Sequence, residues 1–120
     1  MTGFRRVEPR LPVADVRASI DFYCTHLGFS SDLATSEPAP DFAIVCRDNV
    51  CLQLVEQGAH HPAGPLTIWI DIADALAEFT NLGEAVEIEW GPEVYDYGRR
   101  EFAVLDPDCH RIILSEAIDD

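Results

Sequence analysis

Aromatic and polar side chains suited to holding a small molecule are spread over several short apolar segments of this 120-residue chain. Strand alternation, worked out below, collects one set of them on a single face of a sheet: Glu8, Arg10, Phe42, Ile44, Gln53, Trp69, Phe102, Val104, Arg111 and Ile113. The segment 90–99 adds three rings at the rim: Trp90, Tyr95 and Tyr97. Apolar walls with a few convergent polar groups are typical of a ligand pocket, which is the role we predict. The alternative is that some of these residues pack at a subunit interface.

Metal binding and catalysis depend on few residues in this sequence. Glu8 is the one carboxylate in the set, and it is the candidate for a metal ligand or a general base. The histidines fall in a helix end, a linker and a turn: His26, His60, His61 and His110. The cysteines form no C-x-x-C pair and have no histidines at zinc-finger spacing: Cys24, Cys46, Cys51 and Cys109. We predict free thiols, although Cys46 and Cys51 face each other across a hairpin.

The charge balance restricts the partners. The formal net charge is −14, from 22 acidic residues and 8 basic residues that are all arginine. Nucleic-acid binding needs clustered positive charge, so DNA and RNA are not expected as partners. A cationic ligand would be attracted, unless the acidity serves only solubility. No apolar run could span a membrane and no signal segment is recognised, so we expect a cytoplasmic protein without a membrane partner.

An internal repeat organises the chain. The segment 41–45 (DFAIV) is echoed by 101–105 (EFAVL) at an offset of 60 residues, and the same offset relates Leu52 to Ile112 and Leu54 to Leu114. Each copy also carries a helical pattern that ends at Leu-Gly. We therefore predict an α+β fold of two tandem βαβββ modules that form a curved mixed sheet, with the modules at 5–57 and 65–117 and a linker at 58–64.

The local patterns place the elements of each module. In the first, Asp15 is the predicted N-cap of a helix ending at Gly28, and Asp48-Asn49 is a two-residue hairpin turn. Its strands are expected over 6–13, 29–36, 40–47 and 49–56. In the second module, a helix ends at 82, the segment 90–99 is a connection, and strands are expected over 66–72, 85–89, 100–106 and 110–116.

Alternation then assigns the faces. Leu52 and Leu54 should lie under the helix, which leaves Gln53 on the other side. The same argument places Val7, Leu11 and Val13 beneath the first helix, and Leu66, Ile68 and Ile70 beneath the second. The Asp48-Asn49 turn pairs Ile44 with Gln53 and Phe42 with Val55, and opposed residues share a face. The 60-residue offset carries this face to Phe102 and Val104.

The duplication and two motifs resemble the vicinal oxygen chelate superfamily, which includes glyoxalase I, extradiol dioxygenases and bleomycin-resistance proteins. The motifs are LPVADV at 11–16, followed by SIDFY at 19–23 and LGF at 27–29, and YGRREFAV at 97–104, followed by LDPD at 105–108. In the family's metalloenzymes four ligands come from the first and last strand of each module. These positions fall here on Glu8, Gln53, Pro65 and Ile113, a set that predicts no bound metal and no cofactor. Cys109 stands where the family's turn has glycine, so the turn is expected to be altered.

What remains resembles the bleomycin-resistance branch, whose members are metal-free dimers that sequester a bulky cationic drug. Tyr97 and Phe42 match positions where that branch has aromatic residues. The resemblance implies a homodimer that binds a planar, cationic small molecule as a means of antibiotic resistance, with no catalytic residues. Two alternatives stay open: a glyoxalase-type lyase or isomerase with a divergent metal site, and a metal-free enzyme that uses Glu8 as its base.

Overall fold

The computed structural model describes residues 2–118, which form two βαβββ modules. In the first module, β1 (Arg10–Val13) leads to α1 (Val16–His26), and β2 (Ser30–Ala34), β3 (Phe42–Arg47) and β4 (Val50–Glu56) follow. The sheet order is β1-β4-β3-β2, with β1 parallel to β4 and the other neighbours antiparallel. Asp15 caps α1 as predicted, because its carboxylate accepts a hydrogen bond from the Ala18 amide at 3.1 Å.

The second module repeats this order. It comprises β5 (Thr67–Asp71), α2 (Ala75–Asn81), β6 (Glu87–Tyr95), β7 (Arg99–Leu105) and β8 (Arg111–Ala117). Its sheet has the order β5-β8-β7-β6, again with one parallel pair between the first and last strands. The predicted α+β fold of two tandem modules is confirmed. The chain separates into two compact units, one ending at Ala63 and the next beginning at Gly64.

The core of each unit lies between its helix and its sheet. In the first unit Leu11, Leu52 and Leu54 are fully buried, and Tyr23 of α1 is fully buried with them. In the second unit Phe102, Val104 and Ile112 are fully buried, and the Phe102 ring lies 5.5 Å from the Phe79 ring of α2. These apolar side chains fix which face of each sheet is covered by its helix.

Three strands, β1, β5 and β6, differ from the prediction in ways that matter for the faces. β1 is shorter than the predicted 6–13, and Val7 is 89% exposed rather than covered by α1. Leu66 lies before β5 and is also exposed, at 41%. Conversely, β6 extends through residues 90–95, which were expected to be a connection. Gly91 and Pro92 interrupt the alternation there, and the strand accommodates them with register shifts on both sides of Trp90.

The turns of the two hairpins differ in length by one residue, and this difference changes which face each side chain of β7 occupies. In the first module Cys46 lies opposite Cys51, as predicted. An offset of 60 residues would place Asp106 opposite Arg111, but Leu105 occupies that position. The turn before β8 is therefore one residue longer than Asp48-Asn49. Cys109 adopts a φ of 64° in this turn, so it takes the left-handed conformation for which the family has glycine.

The structure joins Cys46 and Cys51 by a disulfide, so the prediction of free thiols is wrong for this pair. The two residues are directly opposed in β3 and β4, with Cα atoms 4.1 Å apart, which brings their sulfurs within bonding reach. Cys24 and Cys109 are free. Burial, assisted by the charge of Asp21, raises the pKa of the Cys24 thiol and keeps it protonated at neutral pH.

Between residues 2 and 118, no helix has the length and apolar character needed to cross a membrane.

Candidate functional site

The side of the second sheet that faces away from α2 carries most of the polar and aromatic candidates. Pairing places Trp69 of β5 beside Ile113 of β8, and Ile113 beside Ala103 of β7. The next row along the sheet is Asp71, Ser115 and Glu101. Because these residues alternate with the buried ones, they occupy the opposite face. We call this side the helix-free face of the second sheet.

The counterpart of Phe42 on this face is Glu101, since the longer turn displaces β7 by one residue. Phe102 and Val104 were predicted to line the pocket, and that placement is wrong. Both are fully buried, and Phe102 packs against α2. A one-residue displacement sends every side chain of a strand to the other face. The signal that could have revealed it is the turn sequence, which has Cys109 in place of a glycine.

Glu101 is the central polar group of the helix-free face, and sequence reasoning missed it. Its carboxylate is buried, with 4% of the residue exposed, and it accepts hydrogen bonds from two strands and from the turn between β6 and β7. The Trp69 indole donates at 3.1 Å, the Ser115 hydroxyl donates at 2.7 Å, and the Tyr97 hydroxyl donates to the other oxygen. One carboxylate therefore orients an indole and a phenol from different parts of the sequence.

These contacts shift two pKa values in opposite directions. Burial raises the pKa of Glu101, but the hydrogen bonds from Tyr97, Ser115 and Trp69 and the charge of Arg99 outweigh it, so the pKa lies below its ordinary value. The hydrogen bond to Glu101, followed by burial and by the nearby negative charge, raises the pKa of Tyr97 to about 12. At neutral pH the pair is thus an ionised carboxylate and a neutral phenol.

Arg99 covers one part of the face and was not identified from the sequence. Its guanidinium carbon lies 4.8 Å from the centroid of the Trp69 ring, a cation–π contact. The guanidinium also pairs with Asp71, and its Nε donates to the Ser115 hydroxyl at 2.6 Å. Arg99, Ser115 and Glu101 therefore form a chain of hydrogen bonds beside Trp69, which is 50% exposed.

The three rings predicted at the rim come together. The Trp90 and Tyr95 ring centroids are 6.0 Å apart with an interplanar angle of 87°, and Tyr95 stacks on Tyr97 at 5.7 Å and 11°. Gly91 makes this possible: its φ is 83°, and a Cβ there would lie 2.4 Å from the Glu101 carbonyl oxygen. The backbone of β6 thus approaches β7 more closely than any other residue would allow.

Arg111 and Ile113 lie on the same face. The Arg111 guanidinium forms an ion pair with both carboxylate oxygens of Glu89. Its Nε donates to Oε1, and its Nη2 donates to Oε2 at 2.9 Å. It also donates to the Thr67 hydroxyl at 3.3 Å. Ile113 is half-buried and lies opposite Trp69 in the register of β5 and β8. Arg111 is therefore neutralised locally.

The remaining candidates lie on the helix-free face of the first sheet. Arg10 is paired with Gln53, and Gln53 with Ile44, in the register of β1, β4 and β3. The Gln53 side chain accepts from the Arg10 Nε at 2.8 Å and donates to the Glu8 carboxylate at 3.2 Å. The Arg10 guanidinium carbon lies 5.4 Å from the Phe42 centroid. These residues form a second cluster, on the first sheet.

The positions that correspond to the family's metal ligands do not fit a divalent cation. Glu8 is committed to Arg6 at 2.7 Å and to Gln53. In the second module the register places Thr67 opposite Arg111, so Thr67, not Pro65, is the counterpart of Glu8. A threonine hydroxyl and the Ile113 side chain supply no charged or strong donor. From residue 2 to residue 118, no three histidine, cysteine, aspartate or glutamate side chains are grouped so that they could hold a metal ion.

The chain is similar to proteins of known structure and to one family model. Among solved structures, the antibiotic binding protein TnmS3 from Streptomyces sp. CB03234 is 24% identical with a TM-score of 0.80, over 98% of this chain and 99% of that one. The bleomycin-binding protein of Streptomyces verticillus, complexed with copper(II)-bleomycin, is 26% identical with a TM-score of 0.68, over 100% of both chains. A search of curated proteins found no match. The family model for the Glyoxalase/Bleomycin resistance protein/Dioxygenase superfamily matches residues 5–114. The chain therefore belongs to the Glyoxalase/Bleomycin resistance protein/Dioxygenase superfamily.

Proposed function

We propose that this protein binds a planar, cationic, drug-like small molecule without the help of a bound metal, and that it protects its host by sequestering that molecule. The observation that carries the proposal is the set of rings on the helix-free face of the second sheet. Trp69, Trp90, Tyr95 and Tyr97 are all solvent-accessible there, and two of them are oriented by the buried Glu101 carboxylate.

Aromatic rings held by hydrogen bonds offer flat surfaces at low entropic cost, and a planar guest can stack on them. The ionised Glu101 and the net charge of −14 favour a positive charge on that guest. Two relatives are described as an antibiotic binding protein and a bleomycin-binding protein, which supports ligand capture over other functions of the fold.

Capture is favoured over catalysis because neither Glu101 nor Glu8, the two carboxylates considered as bases, is available as an efficient one. Glu101 accepts three hydrogen bonds, and its pKa is held below the ordinary value, which weakens it as a proton acceptor near neutral pH. Glu8 is held by Arg6 and Gln53. We further propose that the protein acts in the cytoplasm as a homodimer.

The two tryptophans, Trp69 and Trp90, both lie on the proposed surface and provide an intrinsic test. We expect members of a panel of planar cationic drugs to quench the fluorescence of the wild type, and Trp69→Phe and Trp90→Phe to report the two positions separately. A panel in which no compound changes either signal would contradict the proposal. Native mass spectrometry of the purified protein tests the subunit count and the absence of metal; one divalent ion per chain would overturn the metal-free assignment.

A further inference from the structure

The negative charge of the chain is concentrated in the second unit. Residues 64–118 contain twelve acidic residues and three arginines, an excess of nine negative charges, whereas residues 2–63 contain eight acidic residues and five arginines, an excess of three. A positively charged group on a ligand is therefore attracted more strongly to the second unit, before any specific contact is considered.

All three arginines of this unit are engaged with carboxylates. Arg99 pairs with Asp71, Arg111 pairs with Glu89, and Arg100 lies 3.7 Å from Glu116. The carboxylates beside the rim rings are differently placed. Glu93 lies opposite Glu101 in the register of β6 and β7, and both carboxylates raise the pKa of the Tyr95 phenol after the larger effect of burial. Negative charge therefore lies directly beside the rings.

Trp90, Tyr95 and Tyr97 form what we call the aromatic corner. Trp90 stands nearly perpendicular to Tyr95, and Tyr97 lies parallel to Tyr95 and is 61% exposed. Ring faces carry partial negative charge, so two walls at a right angle with carboxylates at their edge suit a positively charged group.

Trp69 has the opposite character. The Arg99 guanidinium already lies against its ring, 4.8 Å from the centroid, so a second positive charge there would meet a like charge. Trp69 can still contact an uncharged planar part of a ligand with its exposed portion. The two tryptophans of the face are thus suited to different parts of one molecule.

We propose that the aromatic corner, with Glu93 and Glu101, is the specificity-determining part of the site and holds the cationic group of the ligand, either a quaternary or alkylated ammonium or a positively charged heteroaromatic ring. Trp69 with its Arg99 cover binds the uncharged part. This assignment rests on the proposed function and adds to it which residues select for charge.

A matched pair of fluorescent probes tests the assignment: N-methylacridinium, which is permanently charged, and acridine at pH 8, which is neutral and nearly the same shape. Binding is measured by fluorescence anisotropy at physiological salt, where charges beyond about 8 Å are screened. We expect the wild type to bind the cation at least about fivefold more tightly than acridine. Tyr97→Leu and Glu93→Gln should each lower that preference by about two- to fivefold, the range for one exposed cation–π or charge contact.

Glu84→Gln, which removes the same charge from the exposed turn after α2, is the control and should leave the preference unchanged. Equal binding of the two probes by the wild type would overturn the assignment and leave the proposed function intact, as would a preference that survives both substitutions in the corner. Failure of both probes to bind would contradict the assignment and the proposed function together. Circular dichroism of each variant confirms that the comparison is made between folded proteins.

Discussion

Replacing Glu101 with glutamine is expected to return the pKa of Tyr97 from about 12 towards the ordinary value of 10.0, because the hydrogen bond to Glu101 is the largest cause of the shift. At a pH near 11, roughly a tenth of Tyr97 would be ionised in the wild type, and the ionised fraction in the variant would rise towards about nine tenths, the value for a pKa of 10.0. That difference is visible in the ultraviolet absorbance of the phenolate, which can be followed by direct titration.

The other tyrosines need not obscure the measurement. Tyr23 is fully buried in the first unit, and Tyr95 also has a raised pKa, so the assignment is made by repeating each titration in a Tyr97→Phe background. Circular dichroism at each pH restricts the analysis to the folded protein. If the titration of Tyr97 is the same in the wild type and in Glu101→Gln, then the carboxylate does not orient the phenol and the described site is wrong.

The same interaction makes stability depend on pH. The folded protein holds the Tyr97 proton more tightly than the unfolded chain, so this contribution is complete below pH 10 and is lost as the pH rises towards about 12. The lowered pKa of Glu101 acts in the other direction: its contribution is present above the ordinary carboxyl value of 4.5 and is lost as the pH falls below it. Urea unfolding in the two pH ranges should show both losses in the wild type and smaller losses in Glu101→Gln, where the raised pKa of Tyr95 and the lowered pKa of Glu89 still contribute.

Two further predictions concern the backbone and the thiols. Gly91→Ala should lower the free energy of unfolding by about 1–3 kcal/mol, since a Cβ would lie 2.4 Å from the Glu101 carbonyl oxygen. Gly98→Ala is the control, because Gly98 has the same φ of 83° but a Cβ there would have no atom within 4 Å. In urea unfolding it should cost only the backbone strain, about 1 kcal/mol. Thiol titration of the denatured protein should find two thiols without reductant and four with it, because Cys46 and Cys51 are joined. Four thiols without reductant would contradict the disulfide.

The fold could be predicted because its determinants are local and repeated. The helix cap at Asp15 and the two-residue turn at Asp48-Asn49 fix the first module, and the predicted pairing of Ile44 with Gln53 is the one observed. The second half of β6 could not be predicted in the same way, since Gly91 and Pro92 break its alternation and only pairing with β7 makes it a strand.

The centre of the candidate site escaped prediction for a different reason. Trp69, Trp90, Tyr95 and Tyr97 were identified as rings near a pocket, but Glu101, the carboxylate that orients two of them, was not among the predicted site residues. Side-chain direction in a strand depends on the register, and the register depends on the length of the adjoining turn. An offset taken from aligned residue types cannot detect a turn that is longer by one residue.

The longer turn before β8 gives the two sheets different helix-free faces. β3 sends Phe42 and Ile44 to the face that its helix leaves free, whereas β7, which has nearly the same sequence, has Glu101 and Ala103 at the equivalent positions. The length of one turn therefore decides whether an aromatic ring or a carboxylate faces away from the helix at this place in the module.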